Sequence, residues 1–171
     1  MSRRYDVLMV SQQFSPVCWL ACAVMIIQFK RGYTPSGDDI NWRGIDFRTQ
    51  AVTVDDQAAT GVAQLAWLRR LGFVVMRCSA PSEAEIESLL VNHGPFLLNH
   101  NAGAFWYGPT RATPTSGSGH AVVVTGIDTN SHTVYFNNPW GEKDVPTTVS
   151  SIVGAMQRWQ RNAASQTIAH L

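Results

Sequence analysis

From Cys18 to Lys30 the chain reads Cys-Trp-Leu-Ala-Cys-Ala-Val-Met-Ile-Ile-Gln-Phe-Lys, an apolar run with helical character and almost no polar face. A helix at a protein surface needs a polar side, so one that is apolar nearly all round must be enclosed on several sides. The run falls short of the ~18 consecutive apolar residues needed to cross a membrane, so the rest of the chain has to wrap it. With 171 residues there is enough chain for one domain with a substantial core and too little for two of ordinary size. The expectation is a single domain over 1–171, built around this helix. Lys30 and Arg31 complement the dipole at its end, and Gly32 can take the left-handed closing conformation.

The start of the helix has chemical consequences. A polar loop containing Pro16 delivers Cys18 to the amino end, where unpaired N–H groups and the helix dipole help to lower a thiol pKa from about 8.5 toward the ~3.5–7.5 range of catalytic thiols. Gln12 stands six positions earlier, close enough to aim an amide N–H at an oxyanion formed beside the sulfur. Cys22 lies one turn further on the same face, but no glutamine stands six positions before it, and it is read as core packing. On this segment alone, a core helix that happens to begin with a cysteine accounts for the residues equally well, because buried cysteine is common.

Charge and cysteine usage remove other classes. The net charge is +1, and no basic run with interleaved aromatics occurs, so a nucleic-acid partner is not expected. Cys18, Cys22 and Cys78 cannot all pair within one chain and show no Cys-x-x-Cys spacing, which argues against a disulfide framework and a metal site. Nothing calls for a cofactor. Arg3 and Arg4 precede a short apolar run, but Asp6 and then Ser11-Gln12-Gln13 cut it below the length of a signal sequence. The expectation is a soluble chain without a membrane span, made in the cytoplasm and exported, if at all, by a route that reads no cleavable leader.

In chain order, Tyr5 to Val10 suits a short strand feeding the Gln12 loop, and residues 33–54 show no sustained period and read as irregular. Asp55, Asp56 or Thr60 can start a helix carrying Val62, Leu65, Leu68 and Leu71 and stopping at Gly72. Phe73 to Cys78 reads as a strand. Ser82 followed by Glu85 is a capping-box pattern opening a helix to Gly94, and Pro95 to Asn99 reads as the next strand. Residues 101–119 are rich in Gly, Pro, Ser and Thr around Phe105-Trp106-Tyr107, a loop leading into His120. Ala121 to Ile127 and Thr133 to Asn137 form a hairpin that Asn138-Pro139-Trp140-Gly141 ends. Thr148 or Ser150 caps a last helix through Ile152, Met156 and Trp159, and the residues from Arg161 look frayed.

The hairpin brings two distant residues together. His120 follows a glycine at the start of a buried strand, which puts an imidazole at the rim of a sheet, and Asn138 returns beside it at the end of the partner strand. The amide oxygen can accept the imidazole N–H and fix the tautomer and orientation of a general base. Each residue alone is ordinarily a turn residue. Asp128, in the hairpin turn, is read as solvated, Asn137 points to the face opposite Asn138, and His93, His100 and His132 carry no motif.

Taken together, Gln12, Cys18-Trp19, Gly119-His120-Ala121-Val122-Val123-Val124 and Asn138-Pro139-Trp140-Gly141 resemble the papain-like cysteine peptidases. The short length, Cys-Trp-Leu-Ala-Cys and Asn-Asn-Pro-Trp-Gly are most similar to the compact bacterial branches, which include the peptidase domains of bacteriocin-exporting transporters and effectors injected by secretion systems. Those branches usually place Asp where Asn138 stands, whereas Asn is the choice of papain proper. The resemblance implies an α+β fold, with a central N-terminal helix carrying the nucleophile packed against an antiparallel sheet. It implies catalytic roles for Cys18 (nucleophile), His120 (base), Asn138 (orienting residue) and Gln12 (oxyanion donor), and hydrolysis of peptide bonds in a protein or peptide substrate. Trp19, Phe105, Trp106, Tyr107 and Trp140 are the candidate substrate-binding residues. The setting it implies is a secreted bacterial effector or toxin with an immunity or inhibitor protein as a second partner. An acyltransferase or transglutaminase-like enzyme using the same residues, or an inert papain-like binding module, are the alternatives.

Overall fold

The computed structural model describes residues 2–11, 18–32, 41–42, 45–46, 62–78, 80–101, 119–157 and 166–171. The helix expected from the apolar run is α1 (Cys18–Arg31), with Trp19 to Gln28 buried without interruption and Gly32 closing it at φ 62°. Leu20, Met25 and Ile26 are at most 1% exposed; each contributes about 1.5–3 kcal/mol of burial. The helix is held on more than one side.

A seven-stranded sheet carries the rest. Its strands are β1 (Ser2–Arg4), β4 (Val74–Arg77), β5 (Phe96–Asn101), β6 (Gly119–Asp128), β7 (Thr133–Asn138), β8 (Glu142–Thr148) and β9 (Thr167–His170). The order is β4-β9-β5-β6-β7-β8, with β1 pairing to β6 beyond the end of β5, and every pairing is antiparallel. Between β1 and β4 in sequence lie the two-residue strands β2 (Asn41–Trp42) and β3 (Ile45–Asp46), paired with each other, and helix α2 (Val62–Arg70). Helices α3 (Glu83–His93) and α4 (Val149–Gln157) complete the elements among the described residues.

Alternation along the strands sorts the core into two layers. Leu97, Ala121, Val123 and Ala169 face α1 and the residues Leu68, Leu71 and Phe73 at the end of α2. Phe96, Leu98, Val122, Val124 and Ile168 face Ile86 and Leu90 of α3 and Ile152, Ala155 and Met156 of α4. The sheet is thus covered on both faces, which is why β6 reads as a continuous apolar run. Helix α3 begins with the expected capping box: the Glu85 N–H donates to Ser82 Oγ at 3.2 Å, and the Ser82 N–H donates back to Glu85 Oε2 at 2.7 Å.

Four sequence expectations need correction. The first strand is Ser2–Arg4 and not Tyr5–Val10; beyond it the Tyr5 N–H still reaches the Thr125 carbonyl. Residues 41–46, read as irregular, include the β2–β3 pair. The chain after Gly141 does not leave the sheet but returns as β8, whose Pro146 lies on an edge strand where a missing N–H costs no ladder bond. The end is not frayed throughout, since β9 is buried between β4 and β5.

Candidate active site

Three elements converge at one end of the sheet. Cys18 is the first residue of α1 and keeps intermediate exposure as a residue. Backbone N–H groups of Ala121, Trp19 and Cys18 lie at its sulfur, so the nucleophile candidate on α1 meets β6 at the residue after His120. Those N–H groups act in the expected direction and lower the thiol pKa. Burial outweighs them, however, and the net displacement is upward from the ordinary thiol value.

His120 is 4% exposed, and its Nε2 lies 2.9 Å from Asn138 Oδ1. The hairpin register delivers this pair from opposite ends of β6 and β7. The Trp140 ring stacks on the imidazole with centroids 4.1 Å apart and planes 24° from parallel, shielding it from water. Asn138 is fully buried, and its Oδ1 also accepts the Trp140 backbone N–H at 3.3 Å. A tight turn makes this possible: the Gly141 N–H donates to the Asn138 carbonyl at 2.9 Å, and Gly141 takes φ 103°. The same turn sets Glu142 opposite Asn138 across β7 and β8, and Asn138 Nδ2 donates to Glu142 Oε2 at 2.6 Å.

Sequence reasoning passed over several residues here. His100 was expected beyond the end of its strand, yet β5 continues to Asn101, so His100 lies directly opposite His120 in the register, with ring centroids 5.7 Å apart. Burial, followed by the charge His120 can carry, pushes its pKa well below the ordinary imidazole value, so His100 is held neutral. Asn99, opposite Ala121, accepts Gln64 Nε2 at 3.0 Å in a buried amide pair. Glu142 follows a Gly and opens a charged stretch, and only its register opposite Asn138 marks it. Asn137, expected on the face opposite Asn138, donates to the Val7 carbonyl at 3.0 Å and accepts the Asp144 N–H at 2.9 Å, tying the segment after β1 to β8.

The remaining candidates separate. Gln12, Phe105, Trp106 and Tyr107 lie outside the described residues, as do Gln13 and the helix starts Asp55, Asp56 and Thr60. Trp19 is 3% exposed and packs in the core layer around α1, whereas Trp140 lies on the His120 ring. Cys22 is fully buried, and its thiol is pushed well above the ordinary value by burial and by the charge Cys18 can carry. Asp128 accepts the Asn130 N–H and the Ser131 hydroxyl within the hairpin turn. His132 pairs with Glu83, and His93 stacks on His170. Among the described residues no group of three or more His, Cys, Asp or Glu could hold a metal ion.

Comparison with known proteins bears on the whole arrangement. A family model described as papain-like cysteine protease AvrRpt2 matches residues 1–157. No curated protein matches the chain. Solved structures similar in fold include two peptidases. One is a C39-like peptidase from Bacillus anthracis, 14% identical with a TM-score of 0.55, covering 100% of this chain and 98% of that one. The other is a double glycine motif protease from an AMS/PCAT transporter in complex with the leader peptide, 16% identical with a TM-score of 0.54, covering 98% of this chain and 92% of that one.

Proposed function

Because the chain belongs to the papain-like cysteine protease AvrRpt2 family and is a cysteine protease, we propose that it cleaves a protein substrate with Cys18 as nucleophile, His120 as base and acid, and Asn138 as orienting residue. The observation that carries this reading is the His120 Nε2 to Asn138 Oδ1 contact of 2.9 Å, one residue from the N–H that meets the Cys18 sulfur. The Cys18 thiol gives its proton to His120, and the sulfur attacks the scissile carbonyl carbon. The resulting oxyanion is held by the Cys18 backbone N–H and the Gln12 side chain. As the C–N bond breaks, His120 returns its proton to the leaving amine. Water, deprotonated by His120, then attacks the thioester, and the acid product leaves as Cys18 regains its proton. Since burial raises the thiol pKa, the imidazole has to supply the driving force for thiolate formation.

The proposed substrate is a protein of a target cell, reached by secretion, and the unit that acts on it is the single domain over residues 1–171. A solved relative in fold holds a leader peptide, which fits an extended peptide as the form in which substrate enters. No described helix is long and apolar enough to cross a membrane. The test is to map new N-termini in a proteome treated with the protein and with its Cys18→Ala variant. A set of cleavages present only with the active protein is expected. The same N-termini from both would remove the reading, and amine-linked acyl products without new N-termini would turn it to acyl transfer.

A further inference from the structure

Asn138 is neutral, yet it stands where a charged partner for an imidazolium would be most useful. Its amide is fully committed: Oδ1 accepts from His120 Nε2 at 2.9 Å and from the Trp140 N–H at 3.3 Å, while Nδ2 donates to Glu142 Oε2 at 2.6 Å. A carboxylate oxygen only accepts, so the NH2 end of the amide must face Glu142 and the oxygen end must face the ring. Nε2 of His120 then has to carry the proton, which leaves Nδ1 as the basic nitrogen. We propose that Glu142 is a positioning residue of the proteolytic centre, which fixes the His120 tautomer through the Asn138 amide and supplies the negative charge that Asn138 lacks.

The neighbourhood supports this assignment. Gly141, at φ 103°, closes the turn that makes Glu142 the cross-strand partner of Asn138, so the carboxylate is delivered by backbone register and not by a mobile side chain alone. The charges beside it on β8 are engaged elsewhere: Lys143 pairs with Asp6, and Asp144 pairs with Arg4 at 3.2 Å. Among the described residues, His100 of β5 packs edge-on to the His120 ring, and the Cys18 thiol of α1 meets the backbone N–H of the next residue, Ala121. His100 is held neutral by burial, so it adds no charge to oppose the imidazolium. A carboxylate one amide away from the ring stabilises imidazolium over imidazole, and hydrogen bonds polarised in series strengthen one another in a buried setting.

The proposal rests on the proteolytic reading above, and its test separates the two. A peptidyl epoxide consumes a thiolate and needs a proton donor for the opening ring, so its rate of reaction with Cys18 follows a bell-shaped pH profile. The full chain, Glu142→Gln, Glu142→Asp and His120→Ala are compared, with labelling at Cys18 read by mass spectrometry and folding checked by thermal melts. Gln can still accept from Asn138 Nδ2 but carries no charge. Glu142→Gln is expected to move the alkaline limb down by about half a pH unit or more, because the imidazolium gives up its proton sooner. Glu142→Asp is expected to restore the limb toward its original position. Limbs of Glu142→Gln that coincide with those of the unaltered chain, with only the height changed, would overturn the role of Glu142 while leaving the Cys18–His120 reading in place. Equal labelling of His120→Ala and the unaltered chain would overturn both. Nitrogen NMR of labelled imidazole gives an independent check: His120 protonated at Nε2 in the neutral ring is expected, and protonation at Nδ1 would overturn the proposal.

Discussion

Cys18 and Cys22 lie one helical turn apart, and their surroundings set them different tasks. Cys18→Ala is expected to abolish both cleavage and epoxide labelling with the melting temperature preserved. Cys22→Ser puts a hydroxyl in a fully buried position and is expected to cost about 1–3 kcal/mol of stability while keeping activity; a dead but folded Cys22→Ser would contradict the assignment of the nucleophile. His120→Ala is expected to lose about 10²–10⁴-fold in rate, and Asn138→Ala less. Asn138→Asp is the sharper substitution. The Asp of the compact bacterial branches would here meet the Glu142 oxygen at the 2.6 Å now bridged by an amide N–H, and two carboxylates so close cannot both ionise freely. Asn138→Asp is therefore expected to be impaired at neutral pH and recovered by adding Glu142→Gln, measured as initial rates of the single and double variants. The place of Cys18 at a helix start and the meeting of His120 with Asn138 were legible because each lies in a local context with a chemical meaning, a helix start or the ends of a hairpin. His100 and Glu142 were not, because what matters about them is which residue lies across the sheet.

Strand β1 is held against β6 by a close backbone approach. A Cβ at Gly126 would lie 2.6 Å from the Arg3 carbonyl oxygen and 2.9 Å from Arg4 Cα, and neither is the end of a flexible side chain. The register between β6 and β7 shifts at Val124/Gly126, the same place. Gly126→Ala is expected to push β1 outward at a cost of about 1–3 kcal/mol. Faster amide exchange at Arg4 and Tyr5 than in the unaltered chain would report it, and an unchanged melting temperature would contradict it. Among elements, the helices were the most legible: α1 from its continuous apolar face, α3 from Ser82 and Glu85. Strands β8 and β9 were hidden for different reasons. Pro146 and the charges at 142–144 belong to an edge, where neither pattern nor propensity has to speak for a strand. Thr167 to His170 is only four residues, too short for any period to stand out.

For the whole molecule, two buried imidazoles set a pH limit. Burial and the charge of His120 lower the pKa of His100, while burial, His93 and Lys30 lower that of His170. Unfolded histidine takes up a proton near pH 6.5. Below that value the unfolded chain binds protons that the fold refuses, so stability present at higher pH is lost as the pH falls from about 6.5 toward the folded values. The carboxylates with lowered pKa, Asp6, Glu85 and Asp128, titrate further down, so the window between about pH 6.5 and 5 belongs to the imidazoles. Melting temperature is expected to fall across that window and to fall less in His170→Gln; a flat profile would contradict this. The place of β9 carries a consequence of another kind, for the chain as it is being made. A ribosome adds residues in order, and every residue named in the candidate centre is synthesised before Thr167. Until Thr167 to His170 emerge, β5 keeps a bare edge and β4, among the described residues, has no strand to pair with. A chain that stops short of Thr167 therefore holds every described residue of the candidate centre on a sheet that is still open. A version truncated after Gln166 is expected to be digested readily by an added protease and to leave the epoxide unreacted, so the centre stays latent until that strand is paired; labelling of the truncated chain at the full rate would show the sheet closing without it.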